Sequence, residues 1–150
     1  MNPFRTYEEL RSESLSGREL ETALLVRAAC GLKKCVELWP ERHSKESQQK
    51  LDEALRFNQK LWTLLQVELG NPENRLPESL RTNLLRLSRY IDQKTFSLFS
   101  GGELGDLQML SKINEEVAAG LMAGAGNRLE EGDFLNESSS EESQVCDITG

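Results

Sequence analysis

The sequence has 150 residues, of which 37% are hydrophobic, 29% charged and only 6% aromatic. This length suits one domain with a modest core, and the abundance of Leu, Glu, Arg and Ala favours helices over a β-sandwich or a β-barrel. The formal net charge is −7, and no run of about 18 apolar residues occurs, which excludes a membrane-spanning helix on length.

The N-terminal segment, residues 1–15, contains Phe4, Tyr7 and Leu10, and it predicts either a short arm or one to two turns of helix, docked by its aromatic side chains. Residues 16–19 read SGRE, the pattern of a capping box, so the first long helix is expected to start at Ser16. Apolar residues then recur three or four apart from Leu20 onward, and Pro40 is expected to stop this helix.

A second helix is expected to be capped by Ser44 and to end at Gly70. Its apolar stripe contains one polar member and consists of Leu51, Ala54, Leu55, Asn58, Leu61, Trp62, Leu65 and Leu69. One face of this helix is therefore predicted to be buried along its whole length.

A third helix is expected to carry Pro77 in its first turn and to end at the pair of glycines 101 and 102. Its predicted stripe consists of Leu80, Leu84, Leu87, Ile91, Phe96, Leu98 and Phe99. A fourth, shorter helix is expected from Leu104 to Leu121, with either Met109 or Leu110 in its stripe. Four helices joined by short turns predict an all-α protein, either an antiparallel bundle or a compact helical array.

The C-terminal segment, residues 124–150, contains seven acids against the single base Arg128 and is rich in serine. This composition predicts a disordered acidic tail after a helical domain at residues 1–123. Its scattered apolar residues could form a short linear motif, although such residues more often accompany a solubilising tail. Without the tail the body is nearly neutral and lacks a basic stripe, so direct nucleic acid binding is not expected.

Candidate chemical groups are few. The only histidine, His43, falls in a charged loop where a solvated side chain is expected, and adjacent acids such as Glu115 and Glu116 diverge on a helix. The glycine run after residue 119 follows a helix instead of opening one, unlike a phosphate-binding loop. We therefore predict no catalytic centre, no metal site, no cofactor and no small-molecule substrate.

Three cysteines, an odd number without a preceding secretory segment, indicate the reducing cytosol, so a cytoplasmic location is expected. Cys30 and Cys35 are five residues apart, a spacing that separates them on a helix, and they are predicted to be small core residues.

Polar and aromatic residues inside the helical stripes are the least ordinary feature of the sequence. A buried asparagine must find hydrogen bonds, so such residues can fix helix register, or they can line a groove where a partner helix docks. Under the second interpretation the candidate partner-binding residues are Asn58, Gln59, Trp62, Tyr90, Asp92, Phe96 and Asn114.

Several short motifs occur in a fixed order. Residues 58–63 read NQKLWT, residues 80–85 read LRTNLL after Leu76 and Pro77, residues 92–96 read DQKTF, and Asn114 precedes AAGL at residues 118–121. In this order and spacing the sequence resembles the FlaF family of flagellar biosynthesis regulators, over roughly residues 7–121. The acidic tail departs from that compact pattern.

The resemblance implies a cytoplasmic bacterial protein needed for flagellin production and flagellum assembly. It implies a secretion chaperone that binds flagellin, with the terminal amphipathic helices of flagellin as the expected ligand, and a link to the partner regulator FlbT. The alternative is post-transcriptional regulation of flagellin synthesis through FlbT or flagellin mRNA.

Overall fold

The computed structural model describes residues 17–123; the arm, the capping-box residue Ser16 and the tail lie outside them. The described chain is all-α, as predicted, and contains no strand. It consists of helix α1 (Gly17–Glu37), a short 3₁₀ turn (Trp39–Glu41), and helices α2 (Lys45–Leu69), α3 (Glu78–Phe99) and α4 (Leu104–Met122). Pro40 stands in the 3₁₀ turn, so α1 ends where the sequence predicted.

Helix α1 is central and packs most extensively against α4. Small side chains allow this close approach, because Ala28 and Ala29 on α1 and Ala118 on α4 are all buried. The hydroxyl of Ser111 on α4 donates to the backbone oxygen of Ala29 at 3.1 Å. A hydrogen bond to a backbone oxygen in the interior therefore ties α1 to α4.

Helix α2 begins as predicted, because the side chain of Ser44 accepts a hydrogen bond from the backbone N–H of Ser47 at 3.1 Å. It ends at Leu69, and Gly70 follows as its C-cap. The buried members of its stripe include Leu55, Asn58 and Trp62.

Replacing Ser44 with alanine is expected to lower the free energy of unfolding by about 1 kcal/mol, because an N-terminal donor of α2 loses its acceptor. Urea denaturation followed by circular dichroism measures the change. The variant Ser44→Asp keeps an acceptor and is expected to restore stability, and failure of that rescue would show that the cap is not the cause.

The turn between α2 and α3 is held by Asn74. Its side-chain nitrogen donates to the backbone oxygen of Glu68 at 2.8 Å, and its side-chain oxygen accepts from the backbone N–H of Leu76 at 2.9 Å. Leu76 is buried. Pro77 is the N-cap of α3, immediately before the first turn in which it was predicted to lie. The turn thus returns the chain directly onto the core.

The turn between α3 and α4 requires glycine at Gly102, whose φ is +53°. A Cβ atom there would lie 2.9 Å from the Cα atom of Leu98 and 2.7 Å from its Cδ2 atom. Gly101 also has positive φ, at +121°. The two glycines therefore allow α4 to turn back tightly after α3.

Two members of the predicted α3 stripe were wrong, because Phe96 and Phe99 are both exposed. Phe96 is 75% exposed, and the buried positions around it are Ile91, Thr95 and Leu98. Successive residues of an α-helix point about 100° apart around its axis. Phe96 is therefore turned away from its buried neighbour Thr95 and lies outside the buried arc.

Short turns make sequence neighbours antiparallel, and the start of α1 lines the same pocket as the end of α4. The four helices therefore form a compact antiparallel bundle with one hydrophobic core. Among residues 17–123, no helix is both long enough and apolar enough to cross a membrane.

Candidate functional site

The seven candidate partner-binding residues divide into two groups in the structure. Three of them are completely buried, namely Asn58, Trp62 and Asn114. The other four reach the surface: Tyr90 is half-buried, and Gln59, Asp92 and Phe96 are exposed.

The three buried residues form a chain of hydrogen bonds. The indole N–H of Trp62 donates to Oδ1 of Asn114 at 2.9 Å, and Nδ2 of Asn114 donates to Oδ1 of Asn58 at 2.6 Å. Because Trp62 and Asn58 lie one turn apart on α2 and Asn114 lies on α4, this buried polar chain joins two helices across the core. The Nδ2 atom of Asn58 is buried and finds no acceptor among residues 17–123.

This arrangement supports the register-fixing role of the asparagines. A slip of α4 by one residue would turn Asn114 away from Trp62 and leave two buried polar groups unpaired, which is costly. Direct contact of these three residues with a partner stays a prediction, and it would require the core to open.

The exposed residues Gln59, Asp92 and Phe96 lie on the outer face between α2 and α3. Nε2 of Gln66 donates to Oγ of Ser88 at 2.9 Å and to Oδ2 of Asp92 at 3.2 Å, which links the two helices at one level. Further along, the guanidinium of Arg56 lies 5.2 Å from the ring centre of Phe99. We call the face between these links the α2–α3 surface, formed by Arg56, Gln59, Gln66, Asp92, Phe96 and Phe99.

The α2–α3 surface continues into an open groove of about 700 Å³ at the end of the bundle where α2 begins. The apolar part of the groove comes from the 3₁₀ turn, α2 and the end of α3, and it consists of Trp39, Leu51, Leu55, Leu98 and Phe99. Its polar rim includes Arg42, His43, Gln48 and Asp52. Phe99 therefore belongs to both features and connects them.

Tyr90 lies on the opposite flank of α3. Its ring centre is 5.5 Å from Nζ of Lys94, which also pairs with Asp106 of α4 at 3.3 Å. The structure therefore places Tyr90 beside α4 and does not bring it together with Phe96.

Reasoning from the sequence missed Trp39, Arg56 and Phe99 as parts of a surface. Phe99 follows Phe96 by three residues, a spacing that places both on neighbouring parts of one helix. That signal was available, whereas the approach of Trp39 and Arg56 depends on how the helices pack.

The side chains of the α2–α3 surface and the groove are suited to non-covalent binding of a partner. Among the described residues 17–123, no group of three or more His, Cys, Asp and Glu side chains could hold a metal ion. Burial raises the pKa of Cys35 to about 11, and its thiol lies 3.6 Å from the backbone oxygen of Lys50. The reactive thiolate of Cys35 is therefore disfavoured at neutral pH.

A family model described as Flagellar protein FlaF matches residues 4–121. The chain belongs to the FlaF family. The match contains the whole buried polar chain and the whole α2–α3 surface of this FlaF protein, extends into the arm and stops before the acidic tail. No curated protein and no solved structure is significantly similar to it.

Proposed function

We propose that this flagellar protein binds flagellin in the cytoplasm, as a secretion chaperone and positive regulator of flagellin production. The bound element is an amphipathic helix from a flagellin terminus, and it docks on the α2–α3 surface and the adjoining groove. The observation that carries this proposal is the exposure of Phe96, at 75%, beside the exposed Phe99 on a helix that buries the other members of its predicted stripe.

The chemistry of the surface supports a protein ligand. Phe96 and Phe99 present aromatic area next to a groove with Trp39 and Leu51, and a helix placed there would cover these four side chains. Binding hot spots are enriched in aromatic residues and arginine, and amphipathic helices bind apolar grooves through residues at i, i+3, i+4 and i+7. Arg56 beside Phe99 fits the same pattern.

The FlaF family match supports the flagellar assignment. An unassembled flagellin with exposed amphipathic helices would need cover against aggregation, and a concave apolar surface can provide it. FlbT is the second partner in this proposal, since a regulator can act through another protein without holding a catalytic centre.

Phe96→Ala is expected to weaken flagellin binding by about 2 kcal/mol, or about 30-fold, with little effect on folding because the ring is exposed. Calorimetric titration of the full chain with flagellin from its own organism measures the affinity. Met122→Ala is the matched control, because Met122 is also exposed, at 74%, but lies at the far end of the bundle.

Equal affinities for the wild type and Phe96→Ala would remove the α2–α3 surface from the binding site. Absence of any flagellin binding by a folded sample would refute the chaperone proposal. The alternative, regulation through FlbT or flagellin mRNA, would then be tested with the same protein by titration against FlbT and by gel shift with the flagellin leader RNA.

A further inference from the structure

The α2–α3 surface and its groove carry opposite charges at their two ends. At one end the carboxylate of Asp92 accepts a hydrogen bond from Nε2 of Gln66 at 3.2 Å. At the other end the guanidinium of Arg42 lies 4.7 Å from the ring centre of Trp39 and donates to the backbone oxygen of Trp39 at 3.0 Å. An anion at one end and a cation at the other are therefore held in place by neighbouring groups.

Neither charge is neutralised by an ion pair within residues 17–123. The charged groups between them, Arg56 and Asp52, pair with each other, since Nε of the first lies 2.9 Å from Oδ2 of the second. Glu41 and Arg89, which lie near the two ends, are exposed, and no side-chain contact to the described residues holds them. A partner therefore meets one fixed and unpaired charge at each end, and groups that are already ordered lose less entropy on binding.

About two to four helical turns separate the two charges. Along α3, Phe99 in the groove is seven positions after Asp92, which is about 10 Å at 1.5 Å per residue. Along α2, Gln66 beside Asp92 is fourteen positions after Asp52 in the groove, which is about 21 Å. The exposed ring of Phe96 lies within this interval. The spacing suits an amphipathic helix whose apolar stripe faces the aromatic rings.

We propose, on the basis of the function proposed above, that Asp92 and Arg42 fix the direction in which the flagellin helix binds. A basic side chain of the helix pairs with Asp92, an acidic side chain about two to four turns away pairs with Arg42, and apolar side chains between them cover Phe96. In the reversed direction the same helix would bring acid to Asp92 and base to Arg42, and contacts between like charges disfavour an interface. The surface therefore selects amphipathic helices that carry opposite charges at their two ends.

Charge variants of the full chain test the pairing. The probes are two synthetic peptides that cover the N-terminal and the C-terminal helix of flagellin from the same organism, each titrated by calorimetry. Asp92→Asn and Arg42→Gln are each expected to weaken binding about two- to five-fold, as the loss of a charged pair at an interface rim does. Asp92→Glu and Arg42→Lys keep the charges and are expected to bind within about two-fold of the wild type. Glu78→Gln and Arg75→Gln are the matched controls, because both side chains are exposed and lie away from the groove.

The direction of the bound helix is measured by NMR of the isotope-labelled full chain. A nitroxide label is attached to one end or the other of the peptide that binds. A label at the basic end is expected to broaden the backbone amide signals of Asp92 and Gln93. A label at the acidic end is expected to broaden those of Arg42 and His43, because paramagnetic broadening falls steeply with distance. The reverse assignment, or equal broadening of both sets by both labels, overturns the proposal.

Weaker binding only in the two variants that remove charge, together with the expected broadening, supports the proposal. Unchanged affinity in Asp92→Asn and Arg42→Gln overturns it and leaves flagellin binding intact. An equal loss in the charge-keeping variants overturns it, because shape and not charge would then be recognised. Binding of a peptide without opposite charges about two to four turns apart overturns it as well. Absence of binding to both peptides and to whole flagellin overturns the proposed function, and the direction of binding with it.

Discussion

Replacing Trp62 with alanine is expected to lower the free energy of unfolding by about 3–5 kcal/mol, close to the limit of what one substitution does. The side chain is fully buried in the core, so its removal leaves a cavity. It also leaves Oδ1 of Asn114 without the indole N–H that now lies 2.9 Å away. Urea denaturation followed by circular dichroism measures the loss.

Two further variants separate the loss of packing in the core from the loss of the hydrogen bond to Asn114. Trp62→Phe keeps an aromatic ring but deletes the N–H donor, and it is expected to cost about 1–3 kcal/mol. Trp39→Ala removes a half-buried tryptophan at the groove and is expected to cost only about 1 kcal/mol. If Trp62→Ala were no worse than Trp39→Ala, Trp62 would not be a central residue of the core.

The second large loss in the free energy of unfolding is expected from Asn114→Leu. Leucine resembles asparagine in size, but it deprives both Trp62 and Asn58 of their hydrogen-bond partner in the buried polar chain. Leaving two buried polar groups unpaired is expected to cost about 2–4 kcal/mol. The same denaturation measurement applies, and Gln59→Leu is the control because its exposed amide should cost less than about 0.5 kcal/mol.

The double variant Asn58→Leu with Asn114→Leu tests whether the buried polar chain acts as one unit. Once Asn114 is gone, Oδ1 of Asn58 is unpaired, so the second substitution removes a polar group that has become unfavourable. The double variant is therefore expected to lose about 1 kcal/mol less free energy of unfolding than the sum of the two single variants. Full additivity would argue that the two asparagines do not interact energetically.

Helix boundaries could be predicted because they depend on local chemistry. The hydroxyl of Ser44 caps α2, Pro40 follows the end of α1, and Gly102 takes a positive φ after α3. Each of these residues acts on atoms within a few positions of itself, so the sequence alone carries the necessary information. Most members of the buried stripes followed from helical periodicity for the same reason.

The candidate site could be predicted only in part. Polar residues within stripes were identified correctly as unusual, but burial of Asn58 beside exposure of Gln59 depends on which arc of α2 faces the core. Phe96 was assigned to the buried stripe because it is apolar, whereas packing against the neighbouring helices selected Thr95 instead. The hydrogen bond between Trp62 and Asn114 joins residues far apart in sequence, and no local pattern specifies it.

The extensive contact between α1 and α4 has a consequence for synthesis of the chain. Helix α1 leaves the ribosome before α4 and cannot bury its main apolar face until α4 has been made. Contacts between distant parts of a sequence delay folding, and apolar faces that wait for a partner are exposed to aggregation. The helical bundle therefore completes its fold only after α4 has been made, and until then α1 is itself a segment that needs protection.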